Sequence, residues 1–312
     1  MIAMVTGCCG LLGRKLLQYR PSWVYAVGVD VQEPDAPLLA SACEYQHLDV
    51  THADAIREAL EKRSVDWVVN TAAFTNVDAC ETRREDCWQI NVLAVKALAE
   101  VARTTGTRVL QVSSDYVFDG TAGPYAEDDE PAPLGFYGRS KLASEVVLRE
   151  TGAEHVIVRT NVLYGHAPGV RPNFVHWVLQ QLERGVPFRV VSDQVGNPTL
   201  ADDLAQAIWT LVASEARGTY HLGGSDLLDR RTFALAVAEV FGFPQDLIGE
   251  ISTAELRQAA PRPLRSGLLW EKARQRFGIR MRGVREGLQL MRAQMLEESM
   301  QSGRQEARRE AK

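Results

Sequence analysis

Over the first half of the chain, short unbroken apolar runs alternate with longer stretches in which apolar residues recur every three or four positions. The runs are Ile2 to Thr6, Val24 to Asp30, Tyr45 to Asp49, Val65 to Asn70, Arg108 to Val112 and Val156 to Arg159. They lack the polar alternation of a half-exposed strand and predict strands buried on both faces. Between them, the stretch from Arg14, Asp54 to Lys62, and Cys87 to Thr104 predict helices. Another helical pattern starts at Tyr137 and continues through Leu142, Val146 and Leu148. Strand and helix in strict alternation predict an α/β fold, a doubly wound parallel sheet of the Rossmann type.

Gly7, Gly10 and Gly13 separate the first strand from the first helix. Glycines there permit a tight turn and let backbone approach a pyrophosphate, which a helix N-terminus then attracts. The second strand ends in Asp30, where a carboxylate would hold an adenosine ribose. Strand, glycine turn, helix and acidic strand end together predict a dinucleotide site. Asp30 accepts two ribose hydroxyls but repels a further phosphate, which favours NAD(H), with NADP(H) as the alternative that nearby Arg14 and Lys15 would serve. Small residues from Thr71 to Thr75 and hydroxyls at Ser113 and Ser114 fall at the carboxyl ends of strands, where open α/β sheets bind ligands.

Beyond Arg159 the alternation loosens at Pro168, Gly169 and Pro172. A helix is predicted from about residue 173 to 184, strands over Phe188 to Val191 and Thr219 to Leu222, and a helix over Ala201 to Val212. From Leu228 the pattern is mainly helical. It ends in a stripe of Val284, Leu288, Met291 and Met295, expected to be a docked last helix. The expected organisation is a dinucleotide-binding domain over 1–165 with returning segments at about 187–222. A smaller, interleaved substrate-binding domain comprises 166–186 and 223–296, and 297–312 is a charged, frayed tail.

The 312 residues, 46% hydrophobic and 24% charged, suffice for a large core. A formal net charge of -5 argues against nucleic acid as partner. No apolar run approaches the ~18 residues of a membrane span, and the N-terminus lacks a signal peptide's basic start. The expectation is a cytoplasmic protein with no membrane partner. The five cysteines, Cys8, Cys9, Cys43, Cys80 and Cys87, lack paired metal-ligand spacing and are expected to be reduced. No metal is expected, and Cys8 and Cys9 are expected to be small filler in the turn.

Tyr137 and Lys141, four apart, share one face of their helix. An ammonium beside a phenol is expected to favour the phenolate, so that Tyr137 exchanges a proton near neutral pH while Ser114 holds the reacting oxygen.

Several ordered motifs carry a resemblance to a known family. They are Thr6-Gly7-Cys8-Cys9-Gly10-Leu11-Leu12-Gly13, Asn70-Thr71-Ala72-Ala73-Phe74-Thr75-Asn76-Val77-Asp78, Ser113-Ser114-Asp115-Tyr116-Val117-Phe118 and Tyr137-Gly138-Arg139-Ser140-Lys141. Val191 to Thr199 and Arg262-Pro263 follow later. Over roughly its first 290 residues the chain resembles the extended short-chain dehydrogenase/reductase family, within it the dTDP-4-dehydrorhamnose reductase-like branch. The resemblance implies reduction of a keto group on a sugar nucleotide with a nicotinamide cofactor. Catalysis would rest on Tyr137 as proton donor, Ser114 as carbonyl binder and Lys141 as partner of the nicotinamide ribose and of Tyr137. It implies a cofactor site of Gly7, Gly10, Leu11, Leu12, Gly13, Asp30, Asp49, Val50, Ala72, Ala73, Phe74, Thr75 and Val112 along with Tyr137 and Lys141. Substrate would meet Ser114, Asp115 and Val162, and Asn91 matches the family's helix-buried Asn. A homodimer is an open expectation.

The chain also departs from the pattern. The reductases typically follow Arg-Thr with Ser-Trp, whose Trp helps to hold the sugar nucleotide; here Asn161-Val162 stands there. The Arg-Pro-x-Asn-Ser motif is altered to Arg262-Pro263-Leu264-Arg265-Ser266. A related dehydratase would carry an acidic residue after Asp115, where this chain has Tyr116. The remaining alternatives are a sugar-nucleotide epimerase and a cofactor-binding regulatory subunit similar to the methionine adenosyltransferase beta subunit.

Overall fold

A computed structural model describes the backbone of residues 1–310 and the side chains of residues 1–300. Its centre is a sheet of seven parallel strands: β1 (Ile2–Thr6), β2 (Tyr25–Asp30), β3 (Glu44–His47), β4 (Trp67–Asn70), β5 (Arg108–Ser114), β6 (His155–Thr160) and β7 (Gly218–His221). Their order is β7-β6-β5-β4-β1-β2-β3. The order reverses between β1 and β4, and in a doubly wound sheet a ligand crevice opens at that reversal.

Successive side chains along a strand point to opposite faces, so the inner strands feed two cores. Ala3, Val5, Val69, Leu110 and Val158 face one layer, packed with Leu16, Leu204 and Ile208. Met4, Val27, Val29, Val68, Val109 and Ile157 face the other, with Ile56, Leu60, Leu98 and Leu148. This double burial is why the strands read as continuous apolar runs. On the first face, α1 (Leu11–Gln18) lies beside the Ala201–Ala213 helix, whose Trp209 donates its indole N–H to the Leu16 carbonyl at 2.9 Å.

The long helix expected over 87–104 is interrupted. A helix over Arg84–Trp88 passes through a π-turn at Gln89–Leu93 before resuming as Ala94–Thr105. Such turns concentrate at functional sites. This one carries Asn91.

A third core gathers Tyr164, Val175, Val178, Leu182, Val190, Phe233, Val237 and Ile248 with Leu288 and Met291 of the last helix, Val284–Glu310. The predicted stripe packs here, with Val284 buried and Met295 partly so. The last two residues of the charged tail lie outside the described residues. The two strands of the 187–222 segment part company. Gly218–His221 closes one edge of the large sheet, whereas Phe188–Val191 pairs in parallel with Ile248–Ile251. That partner went unpredicted because Gly249 and Glu250 break its apolar run. No helix among the described residues is long and apolar enough to cross a membrane.

Candidate active site

The glycine turn is shaped by contact. Gly7 has φ +67, and a side chain there would meet the Ala72 nitrogen at 2.8 Å, so the turn lies directly against the end of β4. A side chain at Gly13 would run into the Gly7 carbonyl. Gly10 is the N-cap of α1 and offers no side-chain acceptor, so first-turn N–H groups at Leu11 and Leu12 remain for an anion. A dinucleotide pyrophosphate fits that donor set.

Asp30 braces the same turn. One carboxylate oxygen accepts the Cys9 N–H at 2.9 Å and the other the Gln32 N–H at 3.0 Å. Each keeps a further lone pair for a ribose hydroxyl. Cys8 is fully buried against this turn, and burial pushes its thiol well above the usual range, which suits a packed, protonated side chain. The nearby cations are engaged elsewhere. Arg14 bonds Asp35 at 2.7 Å and the Cys9 carbonyl at 3.1 Å. Lys15 is buried, bonded to Asp202 at 2.9 Å and to Gln294 of the last helix at 3.0 Å.

Asn91 joins the β4 loop to the Tyr137 helix, α2 (Phe136–Glu150). Its side chain accepts the Phe74 N–H at 2.8 Å and donates to the Phe74 carbonyl at 3.2 Å and to Ser140 Oγ at 2.9 Å. Ser140 then donates to the Tyr137 carbonyl at 2.7 Å. Ala72, Ala73, Phe74 and Thr75 are thereby held beside the helix that bears Tyr137 and Lys141. Asp49 and Val50 follow β3, Asp49 accepting from the Thr51 N–H at 2.9 Å and hydroxyl at 2.8 Å, and Val50 packing on the second core.

At the end of β5, Ser114 donates to Asp115 at 3.0 Å, and Ser266 donates to the other Asp115 oxygen at 2.5 Å. Burial raises the Asp115 pKa. Tyr137 is 9% exposed and meets Tyr116 edge-on, with ring centroids 5.7 Å apart. Its phenol is shifted upward, mainly by burial, and the interaction with the Ser114 hydroxyl opposes that rise. The expected lowering by Lys141 is not what the structure shows. The Lys141 ammonium donates to the Val112 carbonyl at 2.7 Å, and burial lowers its own pKa to about 8. Desolvation dominates both groups, and a phenol held protonated is suited to giving a proton.

Both this geometry and the whole sequence match one family. The model of the RmlD substrate binding domain matches residues 1–297. The chain belongs to this family. It thus sits in the dTDP-4-dehydrorhamnose reductase-like branch of the extended short-chain dehydrogenase/reductases. A spore coat polysaccharide biosynthesis protein, SpsK of Bacillus subtilis, is 34% identical over 91% of this chain and 94% of its own length. A dTDP-4-dehydrorhamnose reductase of Sinorhizobium fredii is 36% identical over 74% of this chain and 79% of its own. A dTDP-4-dehydrorhamnose reductase of Bacillus anthracis, solved in complex with NADP, superposes with a TM-score of 0.85. It is 27% identical, covering 94% of this chain and 99% of that one.

Within this reductase-like fold, Val162 packs partly buried against the third core, next in sequence to Asn161, the neighbour of the Ser114–Asp115 corner. It adopts φ +44, an uncommon state for a β-branched residue. Its carbonyl accepts the Thr199 N–H at 3.1 Å, and Asn161 just before it interacts with Asp115. Two guanidiniums border the same corner, and sequence reasoning gave neither a role. Arg262 bonds Asp78 at 2.8 Å, while its buried Nη1 has no partner among the described residues. Arg230 lies over the Phe174 ring, and its charge acts on Asp115 and Tyr116. The Arg262-Pro263 motif was a signal for the first; Arg230 had none, since its approach depends on tertiary packing.

Proposed function

We propose that this protein reduces a keto group on a sugar nucleotide with a nicotinamide cofactor, Tyr137 giving the proton, and that dTDP-4-dehydrorhamnose is the first substrate to test. The observation that carries this is the meeting of buried Tyr137, Ser114 and Lys141 at the carboxyl end of β5, beside a glycine turn shaped for a pyrophosphate. When bound, the cofactor supplies the hydride to the carbonyl carbon. The substrate oxygen takes a hydrogen bond from Ser114, whose hydroxyl turns away from Asp115 to give it, and the Tyr137 proton as negative charge develops on it. Lys141 anchors the nicotinamide ribose. The unpartnered Arg262 Nη1 and the adjacent Arg230 suit the diphosphate of a sugar nucleotide, since guanidinium matches phosphate oxygens well. Relatives named as dTDP-4-dehydrorhamnose reductases support the same reading.

NAD(H) is the preferred cofactor in this reading. Asp30 meets the adenosine ribose, and Arg14 and Lys15, already paired, are not free to receive a 2′-phosphate. The NADP complex of the Bacillus anthracis relative makes this preference a point to test. Val162 leaves the sugar side more open than a Trp would, which broadens the range of keto sugars. The test is incubation of purified protein with dTDP-4-dehydrorhamnose and NADH or NADPH, with products identified by mass. A product two mass units heavier, formed with oxidation of the dihydronicotinamide, supports the proposal. If no keto-sugar nucleotide is reduced with either cofactor, the reading is wrong.

A further inference from the structure

A buried polar chain runs behind Lys141 and joins the catalytic helix to the far edge of the sheet. Glu145, one turn beyond Lys141 on α2, is fully buried. Its carboxylate accepts Ser113 Oγ at 2.6 Å, Arg159 Nε at 2.9 Å and Arg159 Nη2 at 2.7 Å, with Arg149 at 3.0 Å from the rim. Ser113 and Arg159 are register partners on β5 and β6, and Ser113 immediately precedes Ser114. Arg159, 2% exposed, also lies over the Phe118 ring and places Nη1 3.4 Å from His221 Nε2. His221 Nδ1 faces the Tyr125 carbonyl at 3.1 Å. A carbonyl can only accept, so Nδ1 carries the proton and Nε2 is left as the acceptor for Arg159. Tyr125 continues the chain into the substrate side, its N–H donating to Gly267 at 2.7 Å and its carbonyl accepting from Leu269 at 2.8 Å, next to the Ser266 that bonds Asp115.

Stability alone does not account for this arrangement, because a buried ion pair is on average no better than well-packed apolar side chains of the same volume. What an apolar pair could not supply is a fixed charge one helical turn from Lys141 and a hydrogen bond to the residue before Ser114. We propose that Glu145 is a positioning residue for the reaction: anchored by Arg159 and Ser113, it seats Lys141 and Ser114 and holds a negative charge beside the Lys141 ammonium. This rests on the functional reading of Tyr137 and Lys141.

The charge has a clear sign of action. Burial is the main influence on Lys141 and lowers its pKa to about 8, while Glu145 and, less strongly, Cys87 oppose that fall. The titratable groups around Lys141 are Tyr137 and Glu145 on its own helix and Cys87 on the facing one, with Arg159 beyond Glu145. Without Glu145, the ammonium would lose its proton at a lower pH.

The test follows Lys141 directly in protein labelled with 13Cε-lysine, its signal assigned by its disappearance in Lys141→Arg. In Glu145→Gln the Lys141 midpoint should fall by about one pH unit, and the alkaline limb of kcat should fall with it while KM for substrate changes little. Glu145→Asp, which keeps the charge, should restore most of the midpoint. If Glu145→Gln leaves Arg159 too unbalanced to fold, Glu145→Gln with Arg159→Gln removes both charges, and the midpoint should still fall. An unchanged midpoint in the folded single or double variant overturns the proposal. Absence of keto-sugar turnover by the wild-type protein would count against the functional reading instead, and the NMR midpoint would still decide the role of Glu145.

Discussion

Lys141 Nζ donates to the Val112 carbonyl oxygen at 2.7 Å, so the helix that carries Tyr137 is pinned to the strand that ends at Ser114. One lysine thereby sets the spacing between Tyr137 and Ser114, the proton donor and carbonyl binder of the proposed reaction. Burial leaves it titrating at about 8. The ammonium is fully present below that pH and is lost as pH rises through it. In the wild type kcat should decline above about pH 8, and Lys141→Met should weaken cofactor binding and lower kcat together. A pH–rate profile with cofactor titrations checks both.

Asp30 holds the turn, and in the proposed reading it also sets cofactor choice. Asp30→Ala should narrow the preference for NADH over NADPH by on the order of tenfold, equal to about 1.4 kcal/mol. It should also lower stability by about 1–3 kcal/mol, because the Cys9 and Gln32 N–H groups lose their acceptor. Titrating both cofactors against both proteins, with parallel thermal melts, separates the two effects. An equal or stronger NADPH preference in the wild type would contradict the role given to Asp30.

His221 should make the fold acid-sensitive. Burial, then the Arg159 charge, lowers its pKa from 6.5 to about 3. Between these values the unfolded chain binds a proton that the folded one refuses, so the stability this group contributes is complete above pH 6.5 and is lost as pH falls toward 3. Denaturant midpoints should drop through that window, and the drop should flatten in His221→Gln. Identical acid profiles for the two proteins would remove His221 from the account.

The legible parts of this molecule were those encoded by local pattern. β1, the glycine turn and α1 follow from an apolar run, three glycines and a helical period, and the four-residue spacing of Tyr137 and Lys141 placed both on one helix face. What stayed hidden depends on which strands become neighbours. Arg159 reads as the polar end of a strand and Glu145 as an ordinary helix charge, until the register of Ser113 against Arg159 brings both beneath the active site. Arg230 reaches the Asp115 corner from a segment more than a hundred residues away in sequence. The direction of the Tyr137 shift was misread for the same reason. Proximity to Lys141 was visible in the spacing, whereas the burial that sets the shift belongs to the folded whole.

The central claim is that the Tyr137 hydroxyl gives the proton, and one substitution isolates it. Tyr137→Phe keeps the ring that packs against Tyr116 and removes only the hydroxyl. Measured on the best keto-sugar substrate with saturating cofactor, kcat should fall by on the order of 10²-fold or more, while cofactor affinity barely moves. A Tyr137→Phe protein that keeps near wild-type kcat would place the proton donor elsewhere and contradict the account.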